Sequence, residues 1–210
     1  MKKLLWLCLL FVAVPVVAQD YYPLHPYGLR KDTSRLELYG GMVLPGNNWE
    51  WKDGSGTHEL GSTGWTAGMG FTRNVVSFFG LGLDGNYAQL GDGEKESSGY
   101  YRTGVATGLV TGRFTFFPSS ATRPYIPFGF GIGHTFARHK LSGGGHKTVD
   151  GTDIAQMIGV GLEFDIDDEY LIGVETRYYH IHMTNDMHDA FNKNHFHHLL
   201  IMLKLGWRCF

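Results

Sequence analysis

Arg123-Pro124-Tyr125-Ile126-Pro127-Phe128-Gly129-Phe130-Gly131-Ile132-Gly133 carries the decisive pattern of this chain. From Ile126 onward large apolar side chains alternate with proline or glycine, and a period of two sends successive side chains to opposite faces of a strand. The pattern recurs on both sides. Phe79, Leu81 and Leu83 alternate with Gly80, Gly82 and Asp84, and Ile158, Val160, Leu162 and Phe164 with Gly159, Gly161 and Glu163. Tyr170, Ile172 and Val174 alternate with Gly173, Glu175 and Arg177, and Leu199 to Trp207 with Met202, Lys204, Gly206 and Arg208. One face is large and apolar, the other glycine or charge. A soluble β-sandwich shares that alternation, so length and connectivity must choose.

The pattern predicts strands near 36–43, 63–73, 76–90, 100–117, 123–136, 152–164, 170–182 and 196–207. Lengths of about 10–15 residues exceed the usual soluble strand and suit a tilted crossing of the hydrocarbon. Connections 44–62, 91–99, 137–151 and 183–195 are long, whereas Asn74-Val75, Pro118 to Thr122 and Asp165 to Glu169 are short turns. Short periplasmic turns opposite long outer loops mark an outer-membrane barrel. The expected fold is therefore all-β, an eight-stranded antiparallel up-and-down transmembrane β-barrel. Lipid offers no partner to a free sheet edge, so the first and last strands should pair. Aromatics near strand ends suggest interface girdles: Phe71, Phe78, Phe116, Tyr125, Phe164, Tyr170 and Trp207 on the short-turn side, and Trp65, Tyr87, Tyr101, Phe136 and Tyr178 on the other. In 100–117 the apolar face switches from Val105 and Leu109 to Phe114 and Phe116, which predicts a bulge.

The N-terminus sets the compartment. Lys2 and Lys3 precede an apolar run, Leu4 to Val14, too short for a membrane helix, and Val16-Val17-Ala18 offers a small-residue cleavage site. Residues 1–18 are expected to be a signal peptide, 19–35 a short periplasmic lead and 36–210 the barrel. Glycine takes 30 of 210 positions and aromatics 14%, while the mean hydropathy is −0.15; a barrel reconciles such numbers with a membrane. After cleavage Cys209 alone remains, which excludes an internal disulfide. The net charge of −2 gives no sign of a nucleic-acid partner.

If the apolar faces meet lipid, Glu37, Asp84, Glu163, Glu175, Arg177, Lys204 and Arg208 fill the lumen. Charges in so narrow a space must pair. An eight-stranded barrel is only wide enough for side chains to fill it, so a diffusion pore is not expected.

The Arg123 to Gly133 segment, with Phe79-Gly80-Leu81-Gly82-Leu83-Asp84-Gly85-Asn86-Tyr87, resembles the small outer-membrane β-barrel family related to the OmpA barrel and OmpX. The resemblance implies eight strands, both termini in the periplasm, and no single activity. Members commonly end in Phe as a signal to the insertion machinery. Phe210 fits that role, although the series Leu203, Leu205, Trp207, Cys209 is one residue out of phase with it. A second, local resemblance joins Arg177-Tyr178-Tyr179-His180-Ile181-His182-Met183-Thr184-Asn185 to the His-x-Ser-Asn strand of lipid A 3-O-deacylases, the PagL family. It implies His182 as base and Thr184 in the serine's place as nucleophile. No glutamate occurs at 192–198, where that family's third member is expected; Asp186 and Asp189 are the nearest substitutes.

Six of the 11 histidines lie between 180 and 198. As an exposed rim they need no ligand. Alternatively His180, His182, His195 and His197 converge on a metal, or the protonated cluster meets lipopolysaccharide phosphates. No cofactor is expected. The leading expectation is a cell outer-membrane protein with a structural or loop-mediated binding role, its partners being outer-membrane lipid, lipopolysaccharide and an extracellular ligand. The alternative is a lipid A acyl-ester hydrolase acting from the outer rim of 170–182.

Overall fold

Each alternating stretch becomes a strand in the computed structural model, which describes residues 33–46, 50–53, 56–59, 62–91, 101–140, 146–167, 169–183 and 195–209. In chain order these are β1 (Ser34–Pro45), β2 (Glu50–Asp53), β3 (Gly56–Glu59), β4 (Ser62–Val76), β5 (Phe79–Gly91), β6 (Tyr101–Thr115), β7 (Thr122–Lys140), β8 (His146–Asp165), β9 (Tyr170–His182) and β10 (His195–Cys209). Strands β1, β10, β9, β8, β7, β6, β5 and β4 pair in that order, every pair antiparallel, and β4 returns to β1 to close an eight-stranded barrel. Closure gives every barrel strand two neighbours, as a medium without hydrogen-bonding partners demands. Among the described residues no helix is long and apolar enough to cross a membrane; the strands are the crossing elements.

Several local expectations are corrected. The first short turn is Ser77-Phe78, not Asn74-Val75, because β4 continues to Val76 through a register shift between Asn74 and Val76. Strand β6 carries no bulge: it pairs without a shift with β5 and with β7. Val105 and Leu109 point inward with Arg113, while Val110, Phe114 and Phe116 point outward. The apparent switch is one regular strand with apolar side chains on both faces. Segment 44–62 holds the two-stranded hairpin β2–β3. Segment 137–151 is mostly strand, since the β7–β8 ladder runs on to Lys140↔His146. Strands of 19 and 20 residues are about twice the 9–11 that span hydrocarbon, and β6 follows β7 as far as Tyr101↔His139, so the wall itself is tall on this side. Pro127 is tolerated because the β7–β8 ladder passes from Tyr125↔Gly161 to Phe128↔Ile158 without it.

Outward faces carry Leu36, Leu38, Met69, Leu83, Val110, Phe130, Ile132, Ile158, Val174, Ile201 and Leu203, all exposed. An apolar belt on this scale has no place on a water-soluble monomer. At its long-loop edge Trp65, Tyr87 and Phe136 follow one another with ring centroids 5.4 and 6.1 Å apart, and Tyr178 is exposed at the same edge. Phe71, Phe78, Phe116 and Tyr170 are exposed toward the opposite edge. Tyr125 does not join them. It is 2% exposed and points into the lumen, since its odd position shares the inward face of β7 with Arg123.

Inward glycines make room for rings as well as charges. A Cβ on Gly161 would overlap the Tyr125 ring, whereas Gly108, on the outward face, has open space around it. Gly161→Ala should therefore cost about 1–3 kcal/mol through overpacking, and Gly108→Ala should gain about 0.5 kcal/mol by removing backbone freedom from the unfolded chain. Urea unfolding of the two variants checks both signs.

Candidate functional site

Two layers fill the lumen. The layer nearer the short turns is ionic. Glu37, Asp84, Glu163, Glu175, Arg177, Lys204 and Arg208 all lie there, buried, because on each strand they share the parity opposite to the lipid-facing side chains. Lys204 Nζ donates to Glu37 Oε2 at 2.6 Å and to Glu175 Oε2 at 2.7 Å. Arg177 Nη1 donates to both Asp84 oxygens at 2.8 and 2.9 Å, and its Nε meets Glu175. Arg208 bonds Asp165. The structure adds Arg35, Arg113, Arg123 and Asp165 to these. Glu163 is the hub: Arg35 Nη1 donates to its oxygens at 3.0 and 3.2 Å, Arg123 Nε at 2.8 Å, and Arg113 Nη2 also reaches it. Two tyrosines complete the layer. Tyr39 Oη donates to Asp84 Oδ1 at 2.7 Å and Tyr125 Oη to Glu175 Oε2 at 2.5 Å, while Arg113 lies 3.5 Å over the Tyr125 ring. Phase was the available signal: Arg113 has the parity of Val105 and Leu109, and Arg35 that of Glu37.

The layer toward the long loops is mainly apolar, with Thr103, Thr135 and Asp153 also buried on its inward faces. Val43, Leu90, Val105, Met157, Tyr179, Ile181, Phe196 and Leu200 pack there as one buried cluster, with His198 stacked on Tyr179 at 4.8 Å and 7°. Every carboxylate named in the ionic layer is bonded to a cation, and the apolar layer caps it. Among the described residues such a lumen is filled by side chains packed against one another.

Among the described residues a further cluster of chemistry-bearing groups lies on the outer rim. In the β9–β10 register His180 faces His197 and His182 faces His195, all four on the outward side, one and two pleats beyond Tyr178. His180 and His197 approach Nδ1 to Nδ1 at 3.1 Å, His182 and His195 at 3.2 Å. Tyr178 Oη stands 2.9 Å from His197 Nδ1. Among the described residues the ring that His182 meets is another imidazole, that of His195. Thr184, Asp186 and Asp189 lie outside the described residues, as does Phe210. Strand β10 holds its register with β1 through Cys209, whose thiol is free and exposed.

The outer membrane protein beta-barrel domain model matches residues 4–202. No curated protein matches the sequence. Among solved structures the fold is similar to Neisserial surface protein A, with a TM-score of 0.54 at 12% identity over 83% of this chain and 96% of that one. It is similar to OprG of Pseudomonas aeruginosa, at 0.53 and 15% over 87% and 98%. The attachment invasion locus protein Ail of Yersinia pestis, in complex with the heparin analogue sucrose octasulfate, gives 0.52 and 16% over 85% and 99%. Identities this low speak for the fold alone. With the closed barrel, its apolar belt and the match over most of the sequence, the chain belongs to the outer membrane protein beta-barrel domain family and is a protein of the outer membrane.

Proposed function

We propose that this barrel is a closed surface module that binds through its β7–β8 hairpin. The observation that carries the reading is the hairpin itself. Its ladder continues far past the length a membrane needs, pairing Arg138 with Thr148, His139 with Lys147 and Lys140 with His146. Residues 138–147 contain Arg138, Lys140 and Lys147 with two histidines and no acid. A hairpin rich in cations at its long-loop end suits a polyanionic ligand, the attraction being electrostatic and sensitive to salt. The filled lumen supports the same reading, since it leaves the outer surface as the place for recognition. Support from the fold of Ail, seen with a heparin analogue, is of the same kind and goes no further. In the absence of such a ligand the barrel serves the envelope as a structural element.

The test is adherence of cells displaying the full chain to heparin-coated and bare surfaces. Wild type should be retained on heparin at low salt, and a variant with Arg138, Lys140 and Lys147 all changed to Ser should lose most of that retention. Equal adherence of the two, with both barrels folded, would sink the reading. Lipid A from cells with the wild-type chain and with His182→Ala should give identical mass spectra. Loss of one acyl chain with the wild type alone would replace surface binding by ester hydrolysis.

A further inference from the structure

The rim histidines form a ladder that neither the lumen nor the hairpin uses. Cross-strand partners in an antiparallel pair bring side chains on one face into contact, and here both partners are imidazoles on two successive outward positions. Ring centroids of His180 lie 4.6 Å from His197 and 4.8 Å from His195, and His182 lies 5.0 Å from His195. Among the described residues no three such donors are already arranged about one point. What the ladder offers is paired nitrogens. Tetrahedral coordination at 2.0–2.1 Å sets two ligand nitrogens about 3.3–3.4 Å apart, and the Nδ1 atoms of the two pairs stand at 3.1 and 3.2 Å. Little more than a small ring rotation separates each pair from a chelate.

We propose that His180, His182, His195 and His197 bind a divalent transition-metal ion of the zinc, copper and nickel class at the outer rim. His180 and His197 supply the first two nitrogens. His195 stands nearest to complete a third, paired in turn with His182. Imidazole suits these metals, while hard cations such as calcium prefer oxygen. In each pair one Nδ1–H donates to the other Nδ1; when a metal binds, that proton passes through water to the same ring's Nε2, which frees both Nδ1 lone pairs for the ion. An anion is less well served, because protonating both rings of a pair presses two positive N–H groups together. The position matters too: the ladder lies beyond Tyr178 on the outward side, His182 and His195 exposed and His180 and His197 half-buried, where an ion is reached from the long-loop end.

The experiment uses the full chain, untagged, folded in detergent micelles and stripped with chelator. Cu2+ is added to one equivalent and followed by electron paramagnetic resonance, and Zn2+ affinity is measured by calorimetry. Wild type should show coupling to two or more imidazole nitrogens. The double variant His180→Gln with His197→Gln should lose that coupling and weaken Zn2+ binding about tenfold or more, since even supporting groups around a metal cost 10–100-fold. His134→Gln is the control, removing an outward histidine that bonds Thr152 Oγ1 at 2.9 Å instead; it should behave as wild type. Faster migration of unboiled than boiled protein on a gel establishes that each variant is folded. Unchanged metal binding in the folded double variant would overturn the proposal. So would binding of inorganic phosphate that depends on these histidines in protein that takes up no metal.

Discussion

Glu163→Ala is expected to lower the free energy of unfolding by about 3–5 kcal/mol, the range for removing one partner of a buried ionic cluster. Its carboxylate is 1% exposed and stands among the guanidinium groups of Arg35, Arg113 and Arg123. Without it Arg113 keeps Glu37 and Arg123 keeps Asp165. Arg35, wholly buried, keeps among the described residues the Asn74 amide oxygen at 3.5 Å, a distance at which little bond remains, and the field of the nearby Glu37 carboxylate. The damage should therefore trace mainly to this poorly partnered cation. Adding Arg35→Met to the variant should recover part of the loss, since an apolar group can replace a buried charge at little cost. Urea unfolding of all the variants in lipid vesicles gives both numbers. A single variant within about 0.5 kcal/mol of wild type, the range of ordinary surface changes, would mean that the lumen is wet and its charges screened.

Leu203→Arg should be nearly as severe for the opposite reason. Leu203 is 70% exposed and lies midway along the outward run Leu199 to Trp207 of β10. In water an arginine there would be neutral to within about 0.5 kcal/mol. At the midplane of a bilayer it should cost about 2–4 kcal/mol, falling toward the interfaces. Unfolding from vesicles therefore reads the solvent of that face directly. A neutral result would be incompatible with a lipid-facing belt.

Much of this architecture was legible in the alternation. Segment 170–182 is β9 to the residue, and 196–207 is extended by one or two residues at each end in β10. Toward the short turns both strands carry large side chains outward and mainly glycine or charge inward, and toward the long loops Tyr179, Ile181, Phe196 and Leu200 take the inward positions. Strand β6 was misread because lipid and the apolar half of the lumen present the same chemistry to a side chain. Val105 and Leu109 answer to one and Val110 and Phe114 to the other, and hydrophobicity alone does not separate them. Arg113 was lost with that misreading. Arg35 and Arg123 were missed at strand ends, where a charge reads as solvent-exposed unless its parity is followed into the barrel. Tyr125 was assigned to the rim for the same reason, although its parity with Arg123 points inward. The β7–β8 extension left only a faint hydrophobic trace, Ala137 and Val149 on the lumen side, since beyond that pair the strands are held by their backbone ladder. The rim histidines were visible as a cluster, but their cross-strand pairing depends on register, which the sequence does not print.

A closed lumen places recognition on the outside, and planar-bilayer recording of the folded full chain tests that closure most directly. The ionic layer and the apolar cap predict a silent membrane at every voltage and salt concentration at which the protein stays folded. Stable unitary conductance steps, abolished by boiling the sample, would contradict it and would show that solutes pass where Glu163, Arg177 and Leu200 are placed.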